Sequence, residues 1–326
     1  MCMELCAVRL HQPPEVLLAG PVVPGGSHPD GMTVSSERIV RANGVDICVG
    51  SFGEDSDPAI LLIMGSGGSM DWWEDEFCER LATGHRFVVR YDHRDTGRPV
   101  SYEAGAPSYT GRDLVEDAVG VLDALGLASA HVVGMSMGGA LAQILALDHP
   151  DRVASLTLIS TSPSGRDPDL PEMSEEAGAE FAAIRRPDWS DRSSVIEYQL
   201  RIARVLTAPS HPFDEEGFRR LAGRVFDRTT NIEASLTNHD LLRGGDRWRE
   251  RLAELDVPTL VIHGTEDPLF PYGHALALAG EIPGAELLPL DGTGHDLPRR
   301  VWDRVVPAIL EATRPSPAQP RDPPGP

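Results

Sequence analysis

The alternation of strand-like and helix-like segments predicts an α/β fold in which helices cover both faces of a mostly parallel sheet. Mostly apolar runs at 59–64, 86–91 and 130–133 lack a regular polar face, as expected for strands buried on both sides. An amphipathic helical pattern at 110–126 separates the second run from the third. With 326 residues, 41% of them apolar, the chain is long enough for one large domain with an insertion.

The first part of the predicted core comprises residues 35–162. It opens with two strands, 38–41 and 45–52, joined by Asn43-Gly44, which is a strong signal for a two-residue hairpin turn. Thr110 and Asp113 resemble a capping box at the start of the helix, and Gly126 is a natural stop. Residues 1–34 and 314–326 are rich in proline with little periodicity, so they are predicted to be a disordered leader and a disordered tail.

Residues 163–250 show no further strand pattern and are predicted to form an inserted helical cap. Helical stretches lie at about 173–185, 191–206, 214–227 and 231–243. Strand patterns resume at 257–262 and 285–290. A final helix at about 298–313 completes the second part of the core, 251–313.

The segment Gly134-Met135-Ser136-Met137-Gly138 lies between a predicted strand and a small-residue helix. A sharp turn from strand to helix exposes a serine hydroxyl at the edge of a sheet, where a base can reach it. Gly134 and Gly138 omit side chains that would collide where the strand and the helix approach each other. This context predicts that Ser136 is a nucleophile.

Two further polar residues follow predicted strands directly. Asp267 comes after strand 258–263, and His295 comes after strand 285–290. Because the carboxyl ends of parallel strands meet at one edge of the sheet, we expect both beside Ser136. His295 is the predicted base, and Asp267 is predicted to orient the imidazole, with Glu266 as the alternative acid. His93 competes with His295, but its polar loop favours a structural role.

The oxyanion of an acyl-transfer intermediate needs two hydrogen-bond donors. The Met137 N–H at the start of the helix is predicted to be one of them. The second is expected from the glycine-rich loop after strand 59–64, with the Ser66 N–H preferred and Gly65 or Gly67 as alternatives. The same loop lacks the spacing of a nucleotide-binding motif.

Trp72 and Trp73 follow this loop, so at least one of them is expected to contact the substrate. The alternative is that both tryptophans pack against the following helix. The predicted cap adds aromatic residues that can cover a cleft: Phe181, Trp189, Tyr198 and Phe213. An apolar, aromatic cleft favours a bulky neutral ester over a small polar one.

The loop from Asp92 to Arg98 alternates in charge and is expected to connect neighbouring loops beneath the site rather than to act as an acid–base pair. The overall charge favours a neutral or cationic small-molecule ligand. The net charge is −21 and every fixed positive charge is an arginine, which disfavours nucleic acid and anionic membranes as partners.

The four cysteines show no metal-binding spacing, so neither a metal nor another cofactor is expected. The N-terminal residues lack the pattern of a secretory signal, which makes a cytoplasmic location the expectation. The sequence leaves the oligomeric state open.

With these residues in place, the chain resembles the α/β-hydrolase superfamily from about residue 35 to 314. Within it, the chain is most similar to the aclacinomycin methylesterase group of bacterial polyketide biosynthesis. The similarity rests on 36–40, 91–98, 134–138, 146–149 and 258–262, of which Tyr91-Asp92-His93-Arg94-Asp95-Thr96-Gly97-Arg98 is the most distinctive. The resemblance implies an eight-stranded sheet with one antiparallel strand, a helical cap after the sixth strand, and ester hydrolysis. It also implies a Ser136–Asp267–His295 triad with Ser66 and Met137 as oxyanion donors.

Three functions compete at this point. The first is a serine esterase that cleaves a carboxylic ester through an acyl-enzyme, with a hydrophobic or polyketide-type methyl ester as the expected substrate. The second is a cofactor-free perhydrolase or haloperoxidase-like enzyme on the same triad. The third is a ligand-binding protein that retains a hydrolase pocket.

Overall fold

Eight strands form a single sheet in the computed structural model, which describes residues 36–98, 100–165, 167–242 and 247–314. The strands are β1 (Ser36–Ala42), β2 (Val45–Phe52), β3 (Ala59–Ile63), β4 (Phe87–Tyr91), β5 (Ala130–Met135), β6 (Val153–Ile159), β7 (Thr259–Gly264) and β8 (Glu286–Leu290). Their order across the sheet is β1-β2-β4-β3-β5-β6-β7-β8. β2 is antiparallel to β1 and β4, whereas every other neighbouring pair is parallel. The expected sheet with one antiparallel strand is therefore confirmed. The predicted leader and the tail beyond Arg314 lie outside the described residues.

The helices of the described residues alternate with the strands, apart from four that follow β6. They are α1 (Asp75–Ala82), α2 (Gly111–Ala124), α3 (Met137–Asp148), α4 (Glu175–Ala183), α5 (Arg192–Leu206), α6 (Glu215–Arg228), α7 (Ile232–Thr237), α8 (Gly273–Glu281) and α9 (Trp302–Ala312). The capping box of Thr110 and Asp113 is present at the start of α2. None of these described helices is both long and apolar enough to cross a lipid bilayer.

Two hydrophobic clusters lie on opposite faces of the sheet. One contains buried residues of α2, α3 and α8, among them Leu114, Leu145 and Leu278. The other contains residues of α1 and α9, among them Phe77 and Ile309. Helices thus cover both faces, and the parallel strands have apolar side chains on each side as their sequences predict.

We call the described residues between β6 and β7 the insert; it contains α4 to α7. Its small hydrophobic cluster is centred on Val195, Val225 and Ile232. The helix expected at 231–243 is shorter than predicted, since α7 ends at Thr237 and a 3₁₀ turn follows at His239–Leu241. The reason is tertiary, because the Asn238 side chain accepts a hydrogen bond from the Gly105 N–H and donates to Asp95 at 2.9 Å.

Candidate active site

Ser136 occupies the sharp turn between β5 and α3, with φ 54° and ψ −121°. Positive φ is costly for a residue that has a side chain, so the surroundings must hold this conformation. The Ser136 N–H donates to the Ile159 carbonyl at 2.9 Å, and the Thr161 hydroxyl donates to the Ser136 carbonyl at 2.7 Å. A Cβ atom on Gly138 would lie 2.1 Å from the Ile63 carbonyl oxygen, so only glycine fits there.

Two hydrogen bonds connect the three side chains expected at this edge of the sheet. The His295 Nε2 atom lies 2.9 Å from the Ser136 Oγ atom, and His295 Nδ1 lies 2.8 Å from Asp267 Oδ2. Since a carboxylate can only accept, the Nδ1 atom carries the proton and the Nε2 lone pair faces the serine hydroxyl. This arrangement allows His295 to take a proton from Ser136 as the serine attacks.

Asp267 is held in its ionised form by its neighbours. Burial raises the pKa of Asp267, but His295, His263 and the Phe270 N–H outweigh burial, so the pKa lies below its ordinary value. Its second oxygen, Oδ1, accepts hydrogen bonds from the Leu269 and Phe270 N–H groups at 2.9 Å each. The carboxylate is thereby fixed in position as well as in charge.

The structure separates the two adjacent acids. Asp267 faces His295, whereas Glu266 accepts a hydrogen bond from the Ser210 hydroxyl of the insert. The other candidate base, His93, is buried and bonded through Nε2 to the Met64 carbonyl at 2.9 Å. The geometry therefore favours Asp267 and His295 over their alternatives, and their catalytic roles remain predictions.

The glycine-rich loop after β3 approaches Ser136 closely, since a Cβ on Gly65 would lie 3.1 Å from the Ser136 Cβ. Within the described part of the chain, the Ser66 and Met137 N–H groups have no hydrogen-bond acceptor. The Gly67 N–H, an alternative donor, is occupied because it donates to His239 Nδ1 at 3.0 Å. Ser66 and Met137 thus remain the predicted oxyanion donors.

The two tryptophans, at least one of which is expected to contact the substrate, lie in different surroundings. Trp73 is 1% exposed and stacks on Phe77 at 5.6 Å, so it is a core residue on the α1 face of the sheet. Trp72 is half-buried and packs against Phe218 of the insert at 5.3 Å. A Cβ on Gly68 would lie 3.4 Å from Trp72, which places this ring beside the glycine-rich loop.

The charged loop after β4 forms a buried network, as predicted. Asp92 accepts hydrogen bonds from the Met70 N–H and from both terminal nitrogens of Arg228, which is 6% exposed in its side chain. Asp95 accepts from the Tyr109 hydroxyl at 2.6 Å and from Asn238. Both acids therefore attach the loop to the insert, since Arg228 ends α6 and Asn238 follows α7.

The insert also contacts the histidine loop, which no local sequence pattern indicates. The His295 N–H donates to the Leu206 carbonyl at the end of α5, at a distance of 2.7 Å. The Phe270 ring packs edge-on against His295 at 5.4 Å. The hydrogen bond from His295 to Leu206 joins segments far apart in the chain, so sequence spacing carries no signal for it.

Two cavities lie against the insert rather than at Ser136. The smaller, of about 180 Å³, is lined by Ala104, Gly105, Arg186, Tyr198, Glu233, Leu236, Thr237, Asp240 and Leu241. The larger, of about 640 Å³, is lined by Ser101, Tyr102, Trp189, Ser190, Phe226, Thr229, Thr230, Asn231, Ile232 and Glu233. Within the four described ranges, no cluster of three or more side chains suited to binding a metal ion occurs.

A family model described as the alpha/beta hydrolase fold matches residues 58–298, which includes Ser136, Asp267 and His295. The chain belongs to this family. The hydrolase is also 33% identical over 292 residues to rhodomycin D methylesterase DauP of Streptomyces sp. (strain C5), across 85% of this chain and 98% of the relative. The sequence-based assignment to the methylesterase group is thereby confirmed, and the hydrolase is a carboxylic ester hydrolase.

Another relative carries a different name. The hydrolase is 42% identical over 248 residues to the putative carbamate hydrolase RutD of Variovorax paradoxus (strain S110), across 73% of this chain and 86% of the relative. Among solved structures, an esterase from Exiguobacterium antarcticum matches with a TM-score of 0.68 at 20% identity, over 84% of this chain and 97% of that chain. At that identity, the structural match concerns the fold alone.

Proposed function

We propose that the protein hydrolyses a methyl ester of a bulky, apolar or aromatic acid of the polyketide type, through an acyl-enzyme on Ser136. The observation that carries the proposal is the hydrogen-bonded chain from Ser136 through His295 to Asp267, with separations of 2.9 Å and 2.8 Å. The similarity to rhodomycin D methylesterase supports a methyl ester as the substrate class.

In the first half-reaction, the Ser136 Oγ atom bonds to the ester carbonyl carbon while its proton moves to His295 Nε2. Asp267 stabilises the imidazolium that forms. The carbonyl electron pair moves onto oxygen, and the resulting oxyanion accepts hydrogen bonds from the Ser66 and Met137 N–H groups. When the intermediate collapses, the bond to the alcohol oxygen breaks and His295 returns its proton to the leaving methanol.

The second half-reaction uses water in place of the alcohol. His295 takes a proton from the water as its oxygen bonds to the acyl carbon. Collapse of this intermediate breaks the bond to Ser136 Oγ, which recovers its proton from His295. The products are one carboxylic acid and one methanol for each ester and water consumed.

The substrate class is supported by the aromatic side chains on the insert. We propose that residues 163–250 act as a cap whose aromatic residues contact the apolar part of the ester. Trp72, which lies beside the glycine-rich loop, packs against Phe218 of the insert at 5.3 Å. The net charge of −21 disfavours polyanionic substrates, although salt screens this effect.

The test is kcat/KM on a panel that contains methyl esters of fused-ring aromatic acids, p-nitrophenyl acetate, acetylated sugars and a carbamate. We expect the aromatic methyl esters to be the best substrates and the Ser136→Ala variant to be inactive on all of them. Faster turnover of acetylated sugars or of the carbamate would contradict the substrate class. Peracid formation with hydrogen peroxide in excess of hydrolysis would favour the perhydrolase alternative.

Trp72 provides a matched test of the aromatic contact. Trp72→Ala should lower kcat/KM on the aromatic methyl ester more than on p-nitrophenyl acetate. Trp73→Phe should lower the melting temperature without changing the ratio between the two substrates, because Trp73 lies in the core. Equal losses on both substrates in Trp72→Ala would show that this ring supports the fold instead.

A further inference from the structure

The glycine-rich loop after β3 is held mainly from the insert, not from the sheet that carries it. Both backbone polar groups of Gly67 are bonded to residues about 170 positions away. Its N–H donates to His239 Nδ1 at 3.0 Å, and its carbonyl accepts from the Ser235 hydroxyl at 3.1 Å. Next to it, the Ser66 hydroxyl donates to Asp240 Oδ1 at 3.0 Å.

The hydrogen bonds from the insert hold a tight turn, whose own backbone geometry is also restricted. The Gly68 N–H donates to the Gly65 carbonyl at 3.1 Å, which closes the turn around Ser66 and Gly67. Gly67 has φ of +68°, and a Cβ there would lie 3.0 Å from the Ser235 carbonyl oxygen. The direction of the Ser66 N–H therefore depends on where the insert holds Gly67.

His239 is itself fixed on its other side. Its Nε2 atom lies 2.9 Å from the Arg94 carbonyl, and Arg94 is held by a two-point ion pair with Asp117. The ring packs edge-on against His93 at 5.7 Å and against Tyr109 at 6.2 Å. His239 is thus a rigid connection between the loop after β4 and the glycine-rich loop after β3.

The two hydrogen bonds determine the protonation state of this ring. A carbonyl oxygen only accepts, so Nε2 carries the proton that faces Arg94, and Nδ1 must offer a lone pair to the Gly67 N–H. The neutral imidazole alone satisfies both bonds. Burial, and then the charge of His93, lower the pKa of His239 to about 4, so the ring keeps this form at neutral pH.

We infer that His239 is a positioning residue for the oxyanion hole, which acts through Gly67 to aim the Ser66 N–H at the oxyanion on Ser136. This inference rests on the proposed function, since it needs an oxyanion at Ser136. His239 touches neither substrate nor nucleophile, and its effect is on the geometry of a donor. Misplacing a preorganised donor costs transition-state stabilisation while leaving the ground-state complex nearly unchanged.

Two substitutions of His239 test its hydrogen bonds to Gly67 and to Arg94 one at a time. In His239→Asn, the amide oxygen takes the place of Nδ1 and can accept from Gly67. In His239→Gln, the amide reaches the Nε2 position and can donate to the Arg94 carbonyl, but the Gly67 N–H loses its acceptor. His131→Asn is the control, because His131 is also bonded through Nδ1, to Ser155 at 2.9 Å, near the start of β5 and away from Ser136.

The measurements are kcat and KM on the best ester, and the Ki of a trifluoromethyl ketone that forms a tetrahedral adduct with serine. We expect His239→Gln to lower kcat about tenfold to a hundredfold and to raise Ki by the same factor, with KM within about twofold. His239→Asn should retain kcat and Ki within about threefold, and His131→Asn should match the parent protein.

Equal behaviour of the Asn and Gln variants, or a loss in melting temperature with unchanged kcat and Ki, would overturn the inference. If His239→Gln does not fold, Ser235→Ala tests the same point, because it removes the donor to the Gly67 carbonyl. Its kcat should then fall and its Ki rise together, and unchanged values would again overturn the inference. Failure of the proposed function has a different signature, since the trifluoromethyl ketone would then not inhibit the parent protein.

Discussion

The carboxyl edge of the sheet and the insert both reach Ser136, but in different ways. At the sheet edge, Ser136, Asp267 and His295 each follow a strand within a few residues, so short segments of chain place them. The insert reaches the same site through single long-range contacts, such as Leu206 to the His295 N–H and His239 to the Gly67 N–H. The sheet edge carries the predicted reacting groups, and the insert holds the loops that carry or surround them.

This difference predicts two kinds of mutational effect. Changes at the sheet edge should first remove the chemistry, because these side chains are the predicted reacting groups. Changes where the insert meets the core should first lower the stability of the fold or shift the loops around Ser136. Each of the following experiments tests a residue of one kind, and three of them include a matched control.

The largest effect is expected at the sheet edge. Ser136→Ala and His295→Ala should each lower kcat by at least about a thousandfold, and the double variant should be scarcely worse, because nucleophile and base act as a unit. The melting temperature of Ser136→Ala should change little, whereas that of His295→Ala should fall, because Asp267 is left buried without its imidazole partner. Losses in kcat that multiply in the double variant would contradict the shared role, and so would substantial activity in either single variant.

The next effect separates the adjacent acids. Asp267→Asn should lower kcat by about a thousandfold or more, since the imidazole loses the charge that orients it and stabilises its protonated form. Glu266→Gln should change kcat less than about threefold, because Glu266 is bonded to Ser210 of the insert. If Glu266→Gln is the more damaging change in a steady-state assay, the assignment of the acid is wrong.

A third experiment concerns the contact between the insert and the core. Arg228→Met should destabilise the protein by about 3–5 kcal/mol in urea unfolding, because it leaves Asp92 buried without its partner. Arg192→Met is the control, since its partner Asp227 is exposed and the pair contributes about 0–1 kcal/mol. Equal losses of stability in the two variants would show that burial of the Arg228 pair does not govern the attachment of the insert.

The smallest effect is a pH dependence of stability. The pKa of His239 is lowered to about 4 in the folded protein, against an ordinary value of 6.5. The unfolded chain therefore binds more protons between these values, and stability is lost as pH falls from 6.5 towards 4. The contribution of His239 to the slope is at most about 1.4 kcal/mol per pH unit.

Urea unfolding at several pH values measures this slope. His239→Asn should be less sensitive to acid over this range, because the substituted amide does not titrate. His85→Asn is the control, since His85 is exposed and its positive φ of 57° suits asparagine. An unchanged slope in His239→Asn would show that His239 does not take up a proton on unfolding.

The elements that could be predicted are those set by local patterns. The hairpin at Asn43-Gly44 follows from residues that tolerate positive φ, and the helix from Gly111 to Ala124 follows from its apolar periodicity and its capping box. The positions of Ser136, Asp267 and His295 follow from strands that precede them directly. These predictions needed no knowledge of distant contacts, because parallel strands bring their carboxyl ends to a common edge.

Other features could not be read from spacing, because distant residues determine them. Trp72 ends a short 3₁₀ turn and Trp73 is the residue that follows it. Only tertiary packing decides that the Trp72 ring contacts Phe218 while the Trp73 ring lies in the core. The helix predicted at 231–243 ends early because Asn238 bonds to the loops around Asp95 and Gly105.

The amino-acid sequence by itself determined the fold class, the turn that exposes Ser136 and the strand ends that carry Asp267 and His295. The physical reason is that the periodicity of apolar residues and the conformational preferences of turn residues are set within a few positions of the chain. The tertiary structure alone decided which acid faces His295, and that His239 accepts from Gly67. Those choices depend on side-chain directions and on hydrogen bonds between segments that meet only when the insert packs against the sheet.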